Sequence, residues 1–348
     1  MTLPRLKHAI KVVVAHVLYG LGLLQFLQRL LLRRRAVVLM YHRVLDATER
    51  RTTASHPAMV VSSDTFDRHL RLLGRRFTPL TLDEFAAHLR QRRPFPDSSC
   101  MITFDDGWRD NLLNAMPMLR AQGLPATIFL PVNFVGTRRL FAREAFTHLV
   151  LRAREGAVTS PAEAGRVRAL LDAAGLVRLL DLTSPDPRSA VIEAIGAAPV
   201  TASIEALAAD LAQAMGVRVE ELATPDTFMT WAEIETLARE GVAFGGHGAN
   251  HRRLALLPAD ERDADIRASW DVLAARVSPE TWAFAYPNGS CNAATAAAVA
   301  AAGYEVAFTT ASGPVTCGDN PLFVKRINIH EEMTASAPMF LARLVGLF

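Results

Sequence analysis

Short apolar runs that each stop at a polar or turn residue and give way to helical text constrain this chain most. Val37-Val-Leu-Met-Tyr41 closes on His42-Arg43, Cys100-Met-Ile-Thr-Phe104 closes on Asp105-Asp106-Gly107, and Ala126-Thr-Ile-Phe-Leu130 closes on Pro131. Runs of this length and composition read as buried strands. Between them apolar residues recur at helical spacing, as in Phe66, Leu70 and Leu73 behind a capping Asp64, and in Leu112, Met116 and Leu119. The rhythm resumes with Thr230-Trp-Ala-Glu-Ile234, a helix ending at Gly241, and the strand Val242-Ala-Phe244 that leads to His247. Thr281 to Ala285 and Glu305 to Thr309 are further strand candidates, separated by an alanine-rich helix from Ala293 to Ala302 that Gly303 stops. Repetition of strand, loop and helix predicts a parallel α/β sheet or barrel, with functional residues at the carboxyl ends of the strands.

From about Arg143 to Phe228 the text turns to Ala, Leu, Arg and Glu at helical spacing, broken by Ser184-Pro-Asp-Pro187 and Ala198-Pro199. This stretch predicts a helical insertion. With 348 residues, half of them hydrophobic, the chain can bury a large core and fits one α/β domain carrying an insertion. A net charge of +3 without aromatic residues interleaved among basic clusters argues against a nucleic-acid groove. Cys100, Cys291 and Cys317 are too few and too scattered for a disulfide framework, which favours a reducing compartment.

Three strings carry the chemistry: Thr103-Phe-Asp-Asp-Gly107, His247-Gly-Ala-Asn-His251 and Phe284-Ala-Tyr-Pro-Asn-Gly289. The first sets two carboxylates side by side at a strand end. The second sets two imidazoles four residues apart, a spacing that a helical turn would bring onto one face. One carboxylate and two histidines would hold a metal ion and leave a position open, and the spare carboxylate could then serve as general base. Gly245, Gly246 and Gly248 around His247 let the backbone bend and approach a ligand closely.

The amino terminus reads differently. Ile10 to Leu32 is mostly aliphatic, with Arg5 and Lys7 on one side and Arg33-Arg34-Arg35 on the other. Its cleanest apolar stretch, Val12 to Leu24, falls short of the roughly 20 residues that a spanning helix needs, and no small-residue cleavage site follows it. The expectation is that residues 1–35 form a helix lying in or on the cytoplasmic leaflet, with basic residues facing anionic lipid; the alternative is a surface helix packed on the catalytic domain.

Taken together and in this order, T-F-D-D-G, H-x-x-x-H and the proline-containing loop resemble the polysaccharide deacetylases of the NodB-homology type, carbohydrate esterase family 4. The likeness covers roughly residues 36–130 and 228–330. It implies a distorted (β/α)7 barrel over residues 36–348, interrupted by the helical insertion at about 143–228. It places Asp105 as catalytic base, Asp106, His247 and His251 as ligands of a divalent metal, most simply Zn2+ with Co2+ or Mn2+ as alternatives, and the backbone of Asn288 as oxyanion donor. Many members orient the base with an Arg from the third motif, where this chain has Ala285; Arg326 is the candidate replacement from another strand end. Asn328-Ile-His330 loosely matches the motif that supplies the general acid, so His330 is the first candidate for that role and His42 the second. The implied activity is removal of N-acetyl groups from an amino sugar; the amino-terminal helix without an export signal makes the expected substrate lipid-linked or oligosaccharide, met at the inner face of the membrane. Alternatives are a deformylase of a lipid-linked amino sugar, a non-catalytic carbohydrate-binding relative, and a membrane scaffold.

Overall fold

A computed structural model describes residues 3–156, 160–184, 186–197, 204–222 and 227–348. The described chain divides into two compact units. One comprises residues 1–48, 58–136 and 228–348, and the other residues 49–57 and 137–227.

Seven parallel strands organise the first unit: β1 (Ala36–Tyr41), β2 (Ser99–Phe104), β3 (Thr127–Leu130), β4 (Ala243–Gly246), β5 (Ala283–Ala285), β6 (Val306–Phe308) and β7 (Ile327–Asn328). They lie in the order β7-β1-β2-β3-β4-β5-β6, and the short strand Thr78–Pro79 adds to the start of β2. The sheet curls toward closure because the chain entering β7 returns to β6. There Val324 accepts from the Thr309 N–H at 2.8 Å and donates to Ala307 at 2.9 Å. This is the curled, barrel-like parallel sheet with surrounding helices that the NodB-type likeness implied.

Alternation along the strands sorts the core. Val38, Met101, Phe129, Ala283 and Phe308 belong to one apolar cluster, while Val37, Leu39, Ile102, Phe104 and Ile128 belong to another with the helices. Both faces of a parallel sheet are thus apolar. Met101, Thr103 and Asp105 follow one another at the two-residue period, which carries the Asp105 side chain to the end of the Met101 face. Gly245 and Gly246 answer to packing inside the sheet. A Cβ on Gly245 would meet the Ala283 carbonyl at 2.6 Å, and one on Gly246 the Tyr304 hydroxyl at 2.4 Å.

At the amino terminus, the single helix expected from Ile10 to Leu32 is two helices, α1 (Leu3–Gly20) and α2 (Leu23–Leu31), bent by 85°. Gly22 makes the bend, at φ 74° where a side chain would be strained. Helix α3 (Ser63–Arg76) is capped by the Ser62 hydroxyl accepting from Thr65 N–H, so Asp64 lies in the first turn and is not the cap. Helix α4 (Ala337–Leu344) packs against α1, α2 and α3.

The second unit is helical among its described residues, with Ala142–Arg154, Pro161–Ala173, Pro187–Ala197 and Ile204–Ala214 enclosing Phe146, Leu149, Leu171, Val191 and Leu211. The expected breaks at Pro185 and at Ala198-Pro199 lie outside the described residues.

Candidate active site

The two aspartates after β2 are held in opposite ways. Asp105 accepts two parallel hydrogen bonds from Arg326, Nη1 to Oδ1 and Nη2 to Oδ2, both at 2.7 Å. Arg326 is itself fully buried, and its Nε donates to the Thr309 carbonyl at 3.0 Å. Its guanidinium lies 5.7 Å from the Phe129 ring centre. Burial opposes the charged form of Asp105, but Arg326, backed by His247 and His42, outweighs it and holds the carboxyl below the usual carboxylate range.

Asp106 turns the other way at φ 77°. Its Oδ2 accepts from the indole N–H of Trp108 at 3.0 Å, while its Oδ1 is buried without a hydrogen bond. Nε2 of His251 and Nε2 of His247 stand 3.3 and 3.5 Å from that oxygen. Against burial, His251, then His42 and His247, hold the Asp106 carboxyl far below its ordinary value.

His247 follows β4, and its Nδ1 is 2.7 Å from the Ala285 carbonyl. That bond puts the proton on Nδ1 and leaves the Nε2 lone pair facing Asp106. Burial, helped by His251 and only partly offset by Asp105, Asp106 and the Ala285 bond, lowers the His247 pKa to about 4, so the ring is neutral. His251 reaches the same place from a loop. The helical turn expected from the four-residue spacing does not form; the backbone leaves the strand through Gly248 at φ 70° and reaches His251 at φ 54°. Asp265 pins this loop, accepting from Ala249 N–H at 2.7 Å and from Asn250 N–H at 3.2 Å.

One ligand atom each from Asp106, His247 and His251 lie within 4.8 Å of one another. An ionised carboxylate oxygen with no hydrogen bond, facing two imidazole nitrogens, fits a divalent cation: two nitrogens and one oxygen are a common zinc donor set.

The remaining candidates lie on the same end of the barrel. His42 follows β1, and its Nδ1 is buried without a hydrogen bond. Continuing the register of Met40 with Asn328 sets His330 beside His42, as the cap of the short helix Glu331–Thr334. Asn288, exposed at φ 54°, lies in the turn after β5 whose Pro287 stands against Gly248. Trp108, Asp110, Arg43 and Asp265 complete the surroundings, and sequence reading passed over all four. Asp110 ties Arg43 at 2.9 Å, and the Arg43 guanidinium lies 4.3 Å from the Trp108 ring centre. The one available signal was Asp265, an acid at an inward helical position beside Ile266 and Ser269.

Residues 92–162 and 202–307 match the polysaccharide deacetylase family model, half of the chain. A Bacillus subtilis (strain 168) protein, "Putative polysaccharide deacetylase YxkH", is 30% identical over 108 residues, 31% of this chain and 36% of that protein. The match thus spans about a third of that relative's length. Two solved structures share the fold. Streptococcus pyogenes deacetylase PplD, in complex with acetate, has a TM-score of 0.55 and 19% identity over 89% of this chain and 98% of its own. IcaB from Ammonifex degensii has a TM-score of 0.56 and 18% identity over 88% and 97%. With the family model covering half its length and the fold shared throughout the barrel, this chain belongs to the polysaccharide deacetylase family.

Proposed function

We propose that the chain is a metal-dependent hydrolase that removes N-acetyl groups from an amino sugar. The observation that carries this is the contrast between the two aspartates: Asp105 is gripped by Arg326, and Asp106 offers a bare, buried oxygen to two imidazoles. A cation held by Asp106, His247 and His251 would polarise the acetyl carbonyl and lower the pKa of water.

The chain's own residues supply the rest. Arg326 keeps Asp105 ionised in spite of burial and fixes its plane, while the carboxylate retains lone pairs to accept the proton of the attacking water. The N–H of Asn288 is assigned to the developing oxyanion. His330 is assigned to protonate the departing amine, with His42 on the neighbouring strand end as the second candidate. The substrate is an N-acetylated oligosaccharide or lipid-linked sugar met at the cytoplasmic face of the membrane, the reading supported by the apolar, basic amino terminus. A deformylase of a lipid-linked amino sugar would use the same groups and differ only where the acyl group sits.

The test is acid release from a panel of N-acetylated and N-formylated sugars, before and after chelation. Acetate release should fall at least 100-fold on chelation and return with Zn2+, Co2+ or Mn2+. Turnover that survives complete metal removal would sink the metal-dependent reading, and formate without acetate would replace the deacetylase with the deformylase.

A further inference from the structure

Ten of the thirteen large apolar side chains exposed among the described residues lie between Leu6 and Leu31. On α1 they follow one face, Ile10, Val13 and Val17; Leu21 sits at the bend, and on α2 they are Phe26 and Leu30. Val13, Leu21 and Phe26 are 62%, 69% and 62% exposed. The opposite side of α2 is already used: Leu24 and Leu32 are in the core, and the Gln28 amide donates to the Arg76 carbonyl at 2.8 Å and the Ser98 hydroxyl at 3.2 Å. A helix apolar on both sides and packed on one calls for a second apolar environment. Crossing a bilayer would strip α2 from these partners, which favours a pair lying on a surface over one that spans.

The neighbouring charge says which surface. No acidic residue occurs before Asp46, whereas Lys7, Arg29 and Arg33-Arg34-Arg35 are exposed. Beside α1 a cavity of about 450 Å³ opens between Tyr19 and the arginines of α3, Arg68, Arg71, Arg75 and Arg76. Arg71 pairs with Asp67, and Arg68 donates to the Ala335 carbonyl and Thr65 hydroxyl. Arg75 and Arg76 form no ion pair among the described residues, at the last turn of α3. Four guanidinium groups around a polar cavity at the border of an apolar face match the layered chemistry of an anionic bilayer, phosphate above acyl chain.

We infer that α1, α2 and the arginine cavity of α3 form a docking surface for an anionic phospholipid bilayer, with the apolar faces in the acyl boundary and a headgroup phosphate between Arg75 and Arg76. The inference extends the membrane-side location proposed above. It does not depend on the hydrolytic chemistry, because vesicle binding is read without substrate.

The experiment is co-sedimentation of the 348-residue chain, purified in detergent and freed of it, with vesicles of phosphatidylcholine alone or with one-third phosphatidylglycerol. Binding should favour the phosphatidylglycerol vesicles and weaken in high salt. Val17→Glu/Phe26→Glu should bind at least tenfold more weakly. Arg75→Ala and Arg76→Ala should each cost about fivefold on phosphatidylglycerol vesicles and little on phosphatidylcholine. All variants should keep the parental circular dichroism melt and release acetate from a soluble substrate at the parental rate. Equal binding by the apolar variant, equal response of the arginine variants to both lipids, displacement by free inorganic phosphate at constant ionic strength, or a lipid-indifferent dimer held by the apolar face would each overturn the docking surface.

Discussion

The two ends of the barrel break the usual distribution of residues in opposite senses. At the carboxyl ends of the strands, ionisable groups are buried: Asp105, Asp106, His247 and Arg326 are all at most 2% exposed. At the amino ends, where Ser98 N–H donates to Leu32 and Ser99 N–H to Arg35, the helix pair leaves Phe26 and Leu30 in solvent. Burying charge and exposing apolar surface both cost folding free energy. The first departure is compensated inside the molecule by Arg326 at Asp105 and in part by the Trp108 N–H at Asp106; the second has no compensation among the described residues. Buried charge held by the chain's own groups is what the proposed chemistry uses, and exposed apolar surface is what the proposed docking surface uses.

The sharpest way to break this comparison is to ask whether the buried charges do different work although they are neighbours. Asp105→Asn should leave metal affinity close to the parental value while acetate release falls about 10²–10⁴-fold, the usual contribution of a positioned proton acceptor. Asp106→Asn should instead weaken metal binding, with partial recovery of activity in excess metal. Metal titration of both purified variants beside the acetate assay reads the split; reversal of the two patterns would exchange the roles.

How far each end could be read in advance follows from how local its determinants are. The two aspartates sit in five consecutive residues at a strand end, so the period of two, together with Gly107, marks them. The histidine pair was legible as a pair but not as a shape, because spacing alone does not separate a helical turn from a strand end followed by left-handed residues. Arg326 grips a residue 221 positions away, and only closure of β7 beside β1 brings them together. Trp108 and Arg43 look in sequence like any strand-end aromatic and surface cation. At the other end, the Gly20-Leu-Gly22 break was in plain view, and the continuous aliphatic pattern across it hid the bend.

His69 offers a control: a buried ionisable group outside the candidate site. It is fully buried between the Tyr41 hydroxyl, 3.0 Å from Nδ1, and the Thr334 carbonyl, 2.8 Å from Nε2, and it stacks on Phe340. Burial, only partly offset by the Thr334 bond, lowers its pKa to about 4. The unfolded chain therefore binds a proton that the folded chain refuses between about pH 6.5 and 4. The stability contributed by the neutral ring is complete above pH 6.5 and is lost as pH falls toward 4, on the order of 3 kcal/mol. His69→Gln can keep both hydrogen bonds without titrating, so its stability deficit against the parent at pH 7 should shrink on acidification. Urea melts of the two proteins across this range check it; parallel pH profiles would show that His69 is not a source of acid sensitivity.

The smallest expected effect tests how the proposed metal ligand is aimed. Trp108 is 1% exposed and sits between the Phe228 ring, 4.8 Å away and stacked, and the Arg43 guanidinium. Arg43 is held in turn by Asp110, whose other oxygen accepts from the Val44 N–H at 2.8 Å. This chain of contacts fixes the indole so that its one N–H meets Oδ2 of Asp106 and leaves Oδ1 for the cation. Trp108→Phe keeps an aromatic ring for Phe228 and Arg43 but removes the donor, so the carboxylate can rotate. Partners that orient a ligand in this way typically contribute 10–100-fold to affinity. The expected result is metal binding weakened by about tenfold, with turnover at saturating metal close to the parental value, because Asp105 and Arg326 are untouched. Unchanged affinity would mean that the two imidazoles alone orient Asp106. A loss of turnover at saturating metal would mean instead that Trp108 shapes the substrate side of the site, and that the carboxyl end of the barrel divides its labour differently from the way its hydrogen bonds indicate.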